Sequence, residues 1–386
     1  MTMKRSTSRI LTTHAGSLPR PDDVKTLIAA KAAGEPYDRD ALARRLPKAV
    51  AEVVRQQVES GIDSINDGEL SKPNFTDYVR ERISGFEAQE PLPSRQPARQ
   101  LIFGRDAEQF PEYFAGRMTF RGAGQRPVLC TGPIRYIGAN AVRADVENLR
   151  AALRGVRVEE VYLPAVAPGT IEHWLRNEHY PSDEAYLFAI ADAMRDEYLA
   201  IVDAGFVLQI DDPDLADAWQ IHPQMSVGEY RKFAGLRIDA LNYALRDIPT
   251  DRVRFHMCWG SYHGPHRVDI PLRDIVDLIL KVRADAYSIE ASNPCHEHEW
   301  RVWATVKLPP GKFLVPGVVG HYSDFIEHPE LVAERLVKYA KLAGRENVVA
   351  GTDCGLGTRV GHPTIAWAKF QALAEGARLA TKQLWG

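Results

Sequence analysis

Short apolar runs rich in β-branched residues alternate along the chain with longer stretches in which apolar positions recur every three or four residues. This alternation is typical of a parallel sheet whose strands are joined by covering helices. Eight of the short runs are predicted to be strands, and they lie at residues 10–16, 62–68, 158–167, 207–212, 253–258, 286–291, 313–319 and 348–353. Eight strand–helix units predict an α/β protein with the (β/α)8 architecture of a TIM barrel, with residues 1–386 as one domain.

Helices are predicted between most of these runs. The clearest one begins at Pro329, because proline suits the first turn of a helix, and Glu330 adds an acidic side chain that favours a helix N-terminus. Gly344 ends the same stretch, PELVAERLVKYAKLAG. Three further helices are predicted from Asp40 to Ser60, from Ser182 to Ala204 and from Ser226 to Arg246.

Residues 86–157 do not fit this alternation. They do not read as a single connecting helix, and they include a proline-rich piece, QEPLPSRQPARQ, and an aromatic piece, FPEYFAGRMTF. We therefore predict an insertion after the second strand that forms a hairpin or arm beside the barrel.

Composition and charge narrow the class of protein. The 386 residues are 45% apolar and 26% charged, which is ordinary for a globular protein. A net charge of −3 gives no basic surface for nucleic acid or membrane lipid, and no apolar run is long enough to span a bilayer or to serve as a secretory signal. The chain has four cysteines, Cys130, Cys258, Cys295 and Cys354, which are too few and too scattered for a disulfide framework. A reducing, cytoplasmic location is therefore predicted.

Candidate metal ligands stand at the ends of three predicted strands. In FHMCWG, His256 and Cys258 are two residues apart, so their side chains point to the same side of a strand, although this pair alone favours a buried core pair. Glu290 ends the run SIEAS, and Cys354 follows the last run, in GTDCGLGT. Because strand ends of a barrel meet at one mouth, these four side chains are predicted to converge. Zinc accepts all of these ligand types, and thiolates argue against magnesium and calcium, so a zinc site is predicted over a chance alignment.

Six short motifs make the chain similar to a known family. They are AGSLPRP at 15–21, DGE at 67–69, QIDDP at 209–213, HMC at 256–258, IE at 289–290 and DCGLGT at 353–358. Together they resemble the zinc-binding barrel of the cobalamin-independent methionine synthase family. The long members of that family carry an extra N-terminal domain, and this chain is similar to the short, single-barrel members.

The resemblance implies a function and a site. It implies transfer of a methyl group from a methylated folate to the thiol of homocysteine, which gives methionine, with Zn²⁺ as the cofactor. The implied zinc ligands are His256, Cys258, Glu290 and Cys354. Substrate contacts are implied for Glu69 and Asp211, which would hold the ammonium group, and for Gly16 and Ser17, which would grip the other end of the amino acid.

Other interpretations of these residues stay open at this level. Glu69 and Asp211 could instead cap helices or pair with a basic residue such as Lys72, and Gly16 with Ser17 could form a helix N-cap turn.

The implied site also includes a proton donor. The family has a histidine in a pattern like PGV…HS, and in PGVVGHYS of this chain His321 is displaced by one residue. His321 is therefore a candidate catalytic proton donor, and a histidine on a surface loop is the alternative. Cys295, His296 and His298, in NPCHEHEW, could form a second metal cluster, but an ordinary polar helix turn is favoured.

Two other functions remain open from the sequence. One is a zinc-dependent alkyltransferase for another thiol, similar to the epoxyalkane–coenzyme M transferases. The other is a zinc- or thiol-binding protein without turnover. The expected partners are a small thiol and a methyl donor, with neither nucleic acid nor membrane, and a homo-oligomer is left open.

Overall fold

A parallel sheet forms the centre of the protein, in a computed structural model that describes residues 2–88, 104–115, 128–357 and 359–386. The strands within these ranges are β1 (Ser64–Ile65), β2 (Phe86–Ala88), β3 (Val128–Cys130), β4 (Glu160–Val166), β5 (Arg176–Asn177), β6 (Val207–Asp211), β7 (Val253–Met257), β8 (Ala286–Glu290), β9 (Phe313–Val319) and β10 (Gly351–Thr352). Seven of these described strands pair in parallel in the order β1-β4-β6-β7-β8-β9-β10. They correspond to the second to eighth predicted runs, and the predicted (β/α)8 architecture is confirmed.

The ring of strands is closed by the residues that precede β1. Thr13 N–H donates to Ala350 O and Ala350 N–H donates to Leu11 O, both at 2.8 Å. On the other side, Ser64 N–H donates to Thr12 O at 3.0 Å. This segment therefore lies between β1 and the residues just before β10, where the first strand of a barrel belongs.

The prediction of a regular strand at residues 10–16 is wrong in detail. Only one bridge, between Thr12 and Ala350, satisfies the strand pattern there. Side chains take the place of the missing ladder partners: Leu11 N–H donates to Ser6 Oγ, and Ala15 N–H donates to Thr352 Oγ1, each at 3.0 Å. Because the backbone groups are satisfied in this way, the segment closes the barrel without continuing a ladder.

Helices cover the outside of the sheet. Those in the described ranges are α1 (Asp22–Ala33), α2 (Arg39–Glu59), α3 (Phe75–Arg82), α4 (Gly104–Gln109), α5 (Pro111–Ala115), α6 (Ala139–Ala152), α7 (Pro168–Trp174), α8 (Asp183–Asp203), α9 (Asp214–Ile221), α10 (Val227–Ala244), α11 (Val276–Ile279), α12 (Pro329–Ala343) and α13 (Pro363–Trp385). None of these described helices has the length and apolarity that crossing a membrane requires.

The four predicted helices are confirmed as α2, α8, α10 and α12, and their ends follow local chemistry. Ser182 caps α8 by accepting a hydrogen bond from Ala185 N–H at 3.1 Å. Ser226 and Glu229 form a reciprocal capping box at the start of α10. Such caps satisfy N–H groups that a helix leaves without partners, and each stabilises the fold by about 1 kcal/mol.

A layer of polar side chains crosses the interior of the barrel below its C-terminal mouth. Arg254 Nε donates to Gln209 Oε1 at 2.7 Å, and its Nη1 donates to Thr13 Oγ1 at 2.8 Å. The guanidinium also lies 3.7 Å from the centre of the Tyr162 ring. Since each of these groups is buried and hydrogen-bonded or stacked, the layer is a rigid support for the C-terminal mouth above it.

The region predicted as an insertion, 86–157, is divided in the structure. β2 and β3 pair antiparallel, and β3 pairs with β5 in a small second sheet. α4 and α5 lie between β2 and β3 in the chain, whereas α6 contacts α2 and α8 among the covering helices. The parts at 89–103, with the proline-rich piece, and at 116–127 lie outside the described residues, and the domain boundaries remain a prediction.

Candidate metal centre and substrate pocket

Three donor side chains meet at the C-terminal mouth of the barrel. His256 lies in β7, Cys258 follows the end of that strand, and Cys354 follows β10. One ligand atom of each side chain lies within 4.8 Å of the other two. Two thiols and an imidazole at this spacing can hold a metal ion, although their role as zinc ligands remains a prediction.

Two of the predicted ligands each have a buried polar atom with no partner among the described residues. His256 shares a hydrogen bond between Nδ1 and Ser288 Oγ at 3.1 Å, which leaves Nε2 without one. Glu290 accepts from Trp259 N–H through Oε2 at 2.9 Å, which leaves Oε1 without one. A buried polar atom without a partner costs about 1–3 kcal/mol, and a bound metal ion would remove that cost. The His–Cys–Cys set therefore fits a metal ion, whereas Glu290, the predicted fourth ligand, is not among the donors that lie within 4.8 Å of one another.

The two thiols of this site do not have the same acidity. A hydrogen bond from Cys258, together with the nearby His321 and His256 rings, holds the pKa of Cys354 well below its usual range. The same interaction and burial raise the pKa of Cys258 well above its usual range. Without a metal ion, Cys354 is thus the thiol that ionises first.

Asp353 connects the turns that carry Cys354 and Glu290. Its carboxylate accepts hydrogen bonds from Ala291 N–H at 2.7 Å and from Ser292 N–H at 2.9 Å. Gly317 lies directly behind it, because a β-carbon there would be 2.5 Å from the Asp353 α-carbon. The sequence motif contains Asp353, but only the structure reveals it as the connection between the two strand ends.

His321 is fully buried, so the alternative of a surface-loop histidine is wrong. Its Nε2 lies 3.2 Å from Ser261 Oγ, and that hydroxyl donates to Cys354 Sγ at 3.6 Å. Burial lowers the pKa of His321, and its Nδ1 has no hydrogen-bond partner among the described residues. Despite the displacement by one residue, His321 therefore reaches the candidate metal centre, although its role as a proton donor remains a prediction.

Glu69 lies in a strained turn beside Gly16. Its backbone has a φ of 56°, which is rare for a residue other than glycine, and its N–H donates to Asp67 Oδ1 at 2.9 Å. A β-carbon on Gly16 would be 2.2 Å from Glu69 Oε1. Burial, followed by the nearby negative charge of Asp211, raises the pKa of Glu69 to about 8.

Asp211 is the second carboxylate of this pocket. Gln209 Nε2 donates to Asp211 Oδ1 at 2.7 Å, and burial raises the pKa of Asp211 to about 6. Asp212, the next residue, accepts a hydrogen bond from Oγ1 of Thr170, a residue of α7, at 3.0 Å. Glu69 and Asp211 thus form an acidic pair, and Asp212 does not extend it.

The alternative roles for these residues are not supported by the contacts. The Lys72 ammonium group donates to Pro164 O rather than to a carboxylate. Arg20 donates to the main-chain carbonyl groups of Glu69 and Leu70. Within the described residues, the Glu69 carboxylate has neither a hydrogen bond nor an ion pair, so it is available to a cation.

Ser17 is next to the turn that carries Cys354. Its carbonyl accepts from Gly357 N–H at 3.0 Å, and a β-carbon on Gly355 would be 2.3 Å from Ser17 Oγ. Ser17 does not cap the following helix, because the N-cap position of α1 is Pro21. Gly16 and Ser17 therefore lie between the acidic pair and the thiols, where substrate contacts were predicted.

The suggested second metal cluster is not formed by the described residues. Instead, His296 lies between two carboxylates, 3.0 Å from Asp269 and 2.9 Å from Glu299. The Cys295 thiol donates to Pro265 O. The favoured alternative, a polar turn, agrees with these contacts.

Comparisons with known proteins agree with the fold. A family model described as the catalytic domain of cobalamin-independent synthase matches residues 137–376. A methionine synthase of Sulfolobus acidocaldarius is 26% identical over 97% of this chain and 93% of its own length, and one of Thermococcus kodakarensis is 23% identical over 97% and 94%. A solved structure of a B12-independent methionine synthase from Shewanella sp. W3-18-1, in complex with selenomethionine, has a TM-score of 0.70 at 20% identity and covers 97% of this chain and 99% of that one. This structural likeness shows that the fold is shared.

Proposed function

This chain belongs to the cobalamin-independent synthase family, because the model of that family's catalytic domain matches it, and we propose that it methylates the thiol of homocysteine to give methionine. The proposal includes a zinc ion as the cofactor, a methylated folate as the methyl donor and, since the cysteines are free, a cytoplasmic location.

One observation carries the proposal: a set of thiol and imidazole donors and an acidic pair share one mouth. His256, Cys258 and Cys354 are within reach of a common metal ion. Glu69 is buried in the turn after β1 and Asp211 at the end of β6, and both lie beyond the carboxyl ends of these strands. Homocysteine has a thiol at one end and an ammonium group at the other. The thiol matches the metal donors, and the ammonium group matches the acidic pair.

The proposed ligands are His256, Cys258, Glu290 and Cys354. Ser288 occupies Nδ1 of His256, so Nε2 is the atom that would hold the ion, as in sites where a neighbour fixes the histidine tautomer. When bound, zinc would keep the sulfur of the acceptor as a thiolate, which is the nucleophilic form.

The acidic pair would orient the acceptor. With a pKa of about 6, Asp211 is ionised at neutral pH, whereas Glu69, with a pKa of about 8, is largely protonated while the pocket is empty. An ammonium group entering the pocket favours ionisation of Glu69 and pairs with both carboxylates. The pocket therefore favours a cationic acceptor over an anionic one such as coenzyme M.

His321 would complete the transfer by giving a proton to the leaving group. The sulfur–carbon bond forms as the nitrogen–carbon bond of the donor breaks, and the nitrogen needs a proton because an amide-like anion leaves poorly. Because the Ser261 hydroxyl donates to Cys354 Sγ, it accepts from Nε2 of His321, which therefore carries the proton of the neutral ring. Nδ1 has no hydrogen-bond partner among the described residues, so it is the atom that would give a proton to the donor from the imidazolium form.

The test is an assay of purified zinc-loaded protein with homocysteine or coenzyme M and a methylated folate, in which methionine and methylated coenzyme M are both measured. We expect methionine only with homocysteine, and about one zinc per chain. Preference for coenzyme M would instead identify an alkyltransferase for another thiol. Tight zinc binding with no turnover of any thiol, and no proton release when thiol is added, would identify a binding protein.

A further inference from the structure

The inserted region contributes one carboxylate to the interior beside the metal centre. Asp106, in α4, is fully buried. It accepts a hydrogen bond from Tyr262 Oη at 2.7 Å. It also accepts from the N–H groups of Arg267 at 3.2 Å and Val268 at 3.3 Å. All three donors belong to residues 258–268, named here the β7 loop because it follows β7 and begins with Cys258.

α4 is held firmly against the barrel. The Arg105 guanidinium lies 3.3 Å from the centre of the Trp219 ring and donates to the carbonyl groups of Trp219 and His222, each at 2.8 Å. Gly104 permits a close approach, because a β-carbon there would be 2.4 Å from Gln220 O. Because α4 is fixed in this way, the Asp106 side chain can hold its hydrogen-bond partners in one position.

The β7 loop is locked around the residue that contacts Asp106. The Tyr262 ring stacks on His266, with centroids 4.0 Å apart and planes at 23°. Its other neighbour is Gly264, where a β-carbon would be 2.3 Å from the ring. His266 has a φ of 49°, a strained conformation for this residue type, and its Nδ1 lies 2.7 Å from Asp269 Oδ2. The hydrogen bond from Tyr262 to Asp106 therefore fixes one rotamer and one loop conformation.

Ser261 precedes Tyr262 in this loop and is the residue that reaches the metal centre. Its hydroxyl lies 3.2 Å from His321 Nε2 and 3.6 Å from Cys354 Sγ. A displacement of the loop by 1 Å would lengthen both contacts beyond hydrogen-bond range. The orientation of His321 thus depends on where Tyr262 is held.

We propose that Asp106 is a positioning residue for methyl transfer: from the inserted region, it holds the β7 loop so that Ser261 keeps His321 aimed at the reacting atoms. The inference rests on the proposed function. In this proposal α4 contributes to the active site and is not only packed beside the barrel. Asp106 affects the methyl-transfer step rather than the binding of the metal ion or the acceptor.

The test uses full-length zinc-loaded protein and the variants Asp106→Asn, Ser261→Ala and their double variant. Glu108→Gln is the matched control, since Glu108 is an exposed acid on the same helix. We expect Asp106→Asn to lower kcat roughly 10- to 100-fold, the range for a misplaced catalytic group, with zinc content and the KM for homocysteine unchanged. The double variant should have the kcat of the slower single variant, because both changes remove one alignment.

A second measurement separates this proposal from the function on which it rests. Hydrogen exchange of the amides at 262–268 should be faster in Asp106→Asn and unchanged in Glu108→Gln. If Asp106→Asn fails to fold, Tyr262→Phe removes the same hydrogen bond and keeps the ring. A kcat like that of the wild type, independent effects that multiply in the double variant, or unchanged exchange would each overturn the proposal. A wild-type protein inactive with every donor would reject the proposed function instead.

Discussion

The backbone of Gly16 lies directly against the carboxylate of Glu69, so that a β-carbon at position 16 would be 2.2 Å from Glu69 Oε1. Gly16 also has a φ of 143°, which side-chain-bearing residues rarely adopt. The two residues belong to different loops of the mouth, so a change in the backbone at Gly16 would displace the Glu69 carboxylate.

We expect Gly16→Ala to weaken homocysteine binding, because the added methyl group must displace the carboxylate that pairs with the ammonium group. The KM for homocysteine should rise roughly 10- to 100-fold, the cost of losing one buried charged partner. Gly34→Ala is the matched control, since Gly34 has a φ of 71° and open space around its α-carbon. Equal KM changes in both variants would mean that backbone strain, rather than Glu69, is responsible.

Asp211→Asn should lower the affinity for homocysteine by roughly one to two orders of magnitude and reduce the preference over coenzyme M. Asp212→Asn, at a neighbouring carboxylate that faces α7, should leave both affinities nearly unchanged. Competition binding of the two thiols measures the effect. If coenzyme M binds better to the wild type and Asp211→Asn leaves homocysteine unaffected, the acidic pair does not select the acceptor.

The stability of the metal-free protein should fall as the pH rises toward 8.5. The pKa of Glu69 is about 8 in the folded protein and 4.5 ordinarily, so the folded state holds a proton that the unfolded state releases between these values. The contribution of Glu69 is therefore fully present below about pH 4.5 and is lost as the pH passes through 8.

Glu69→Gln removes this titration, so its Tm should exceed that of the wild type by a few degrees at pH 8.5, and the gap should narrow at pH 5. Homocysteine should restore wild-type stability at pH 8.5 but have less effect on the variant. Thermal scans across pH measure this, with the exposed Glu108→Gln as the control. A gap that does not change with pH would contradict the burial of an ionising Glu69.

Zinc content should depend on two of the four cysteines. Cys258→Ala and Cys354→Ala should each lose most of the metal, because three ligands of mixed type hold zinc far less tightly than four. Cys295→Ala should retain about one zinc per chain, since its thiol contacts Pro265 instead. Elemental analysis after gel filtration decides this, and full retention in both ligand variants would end the assignment.

Periodicity predicted the barrel and, with it, which strand ends would meet. His256 and Cys258 were assigned to one side because residues two apart on a strand share a side, and the mouth brought Cys354 to them. Glu69 and Asp211 required the family resemblance, because a lone carboxylate after a strand is compatible with many structural roles. Their burial and the proximity of Gly16 give that assignment a physical basis.

Other parts of the site had no signal in the pattern. Asp106 and Tyr262 are 156 residues apart, and nothing in the spacing of the inserted region relates it to the loop after β7. Nothing in the sequence around Ser261 indicates its contact with His321. The irregular first strand escaped prediction for a similar reason, since its partners are side chains rather than a neighbouring ladder.

Closure of the ring between segments that are far apart in the sequence has a consequence for synthesis. Ala15 N–H donates to Thr352 Oγ1 across 337 residues, and Ser17 rests on the turn that follows Cys354. While the ribosome still holds the last strand, the nascent chain has neither its final thiol nor the support of its first loop. The site therefore forms only after Cys354 has left the ribosome, so chains that stop short of it lack one of the thiols, and assembly waits on the slow pairing of distant segments.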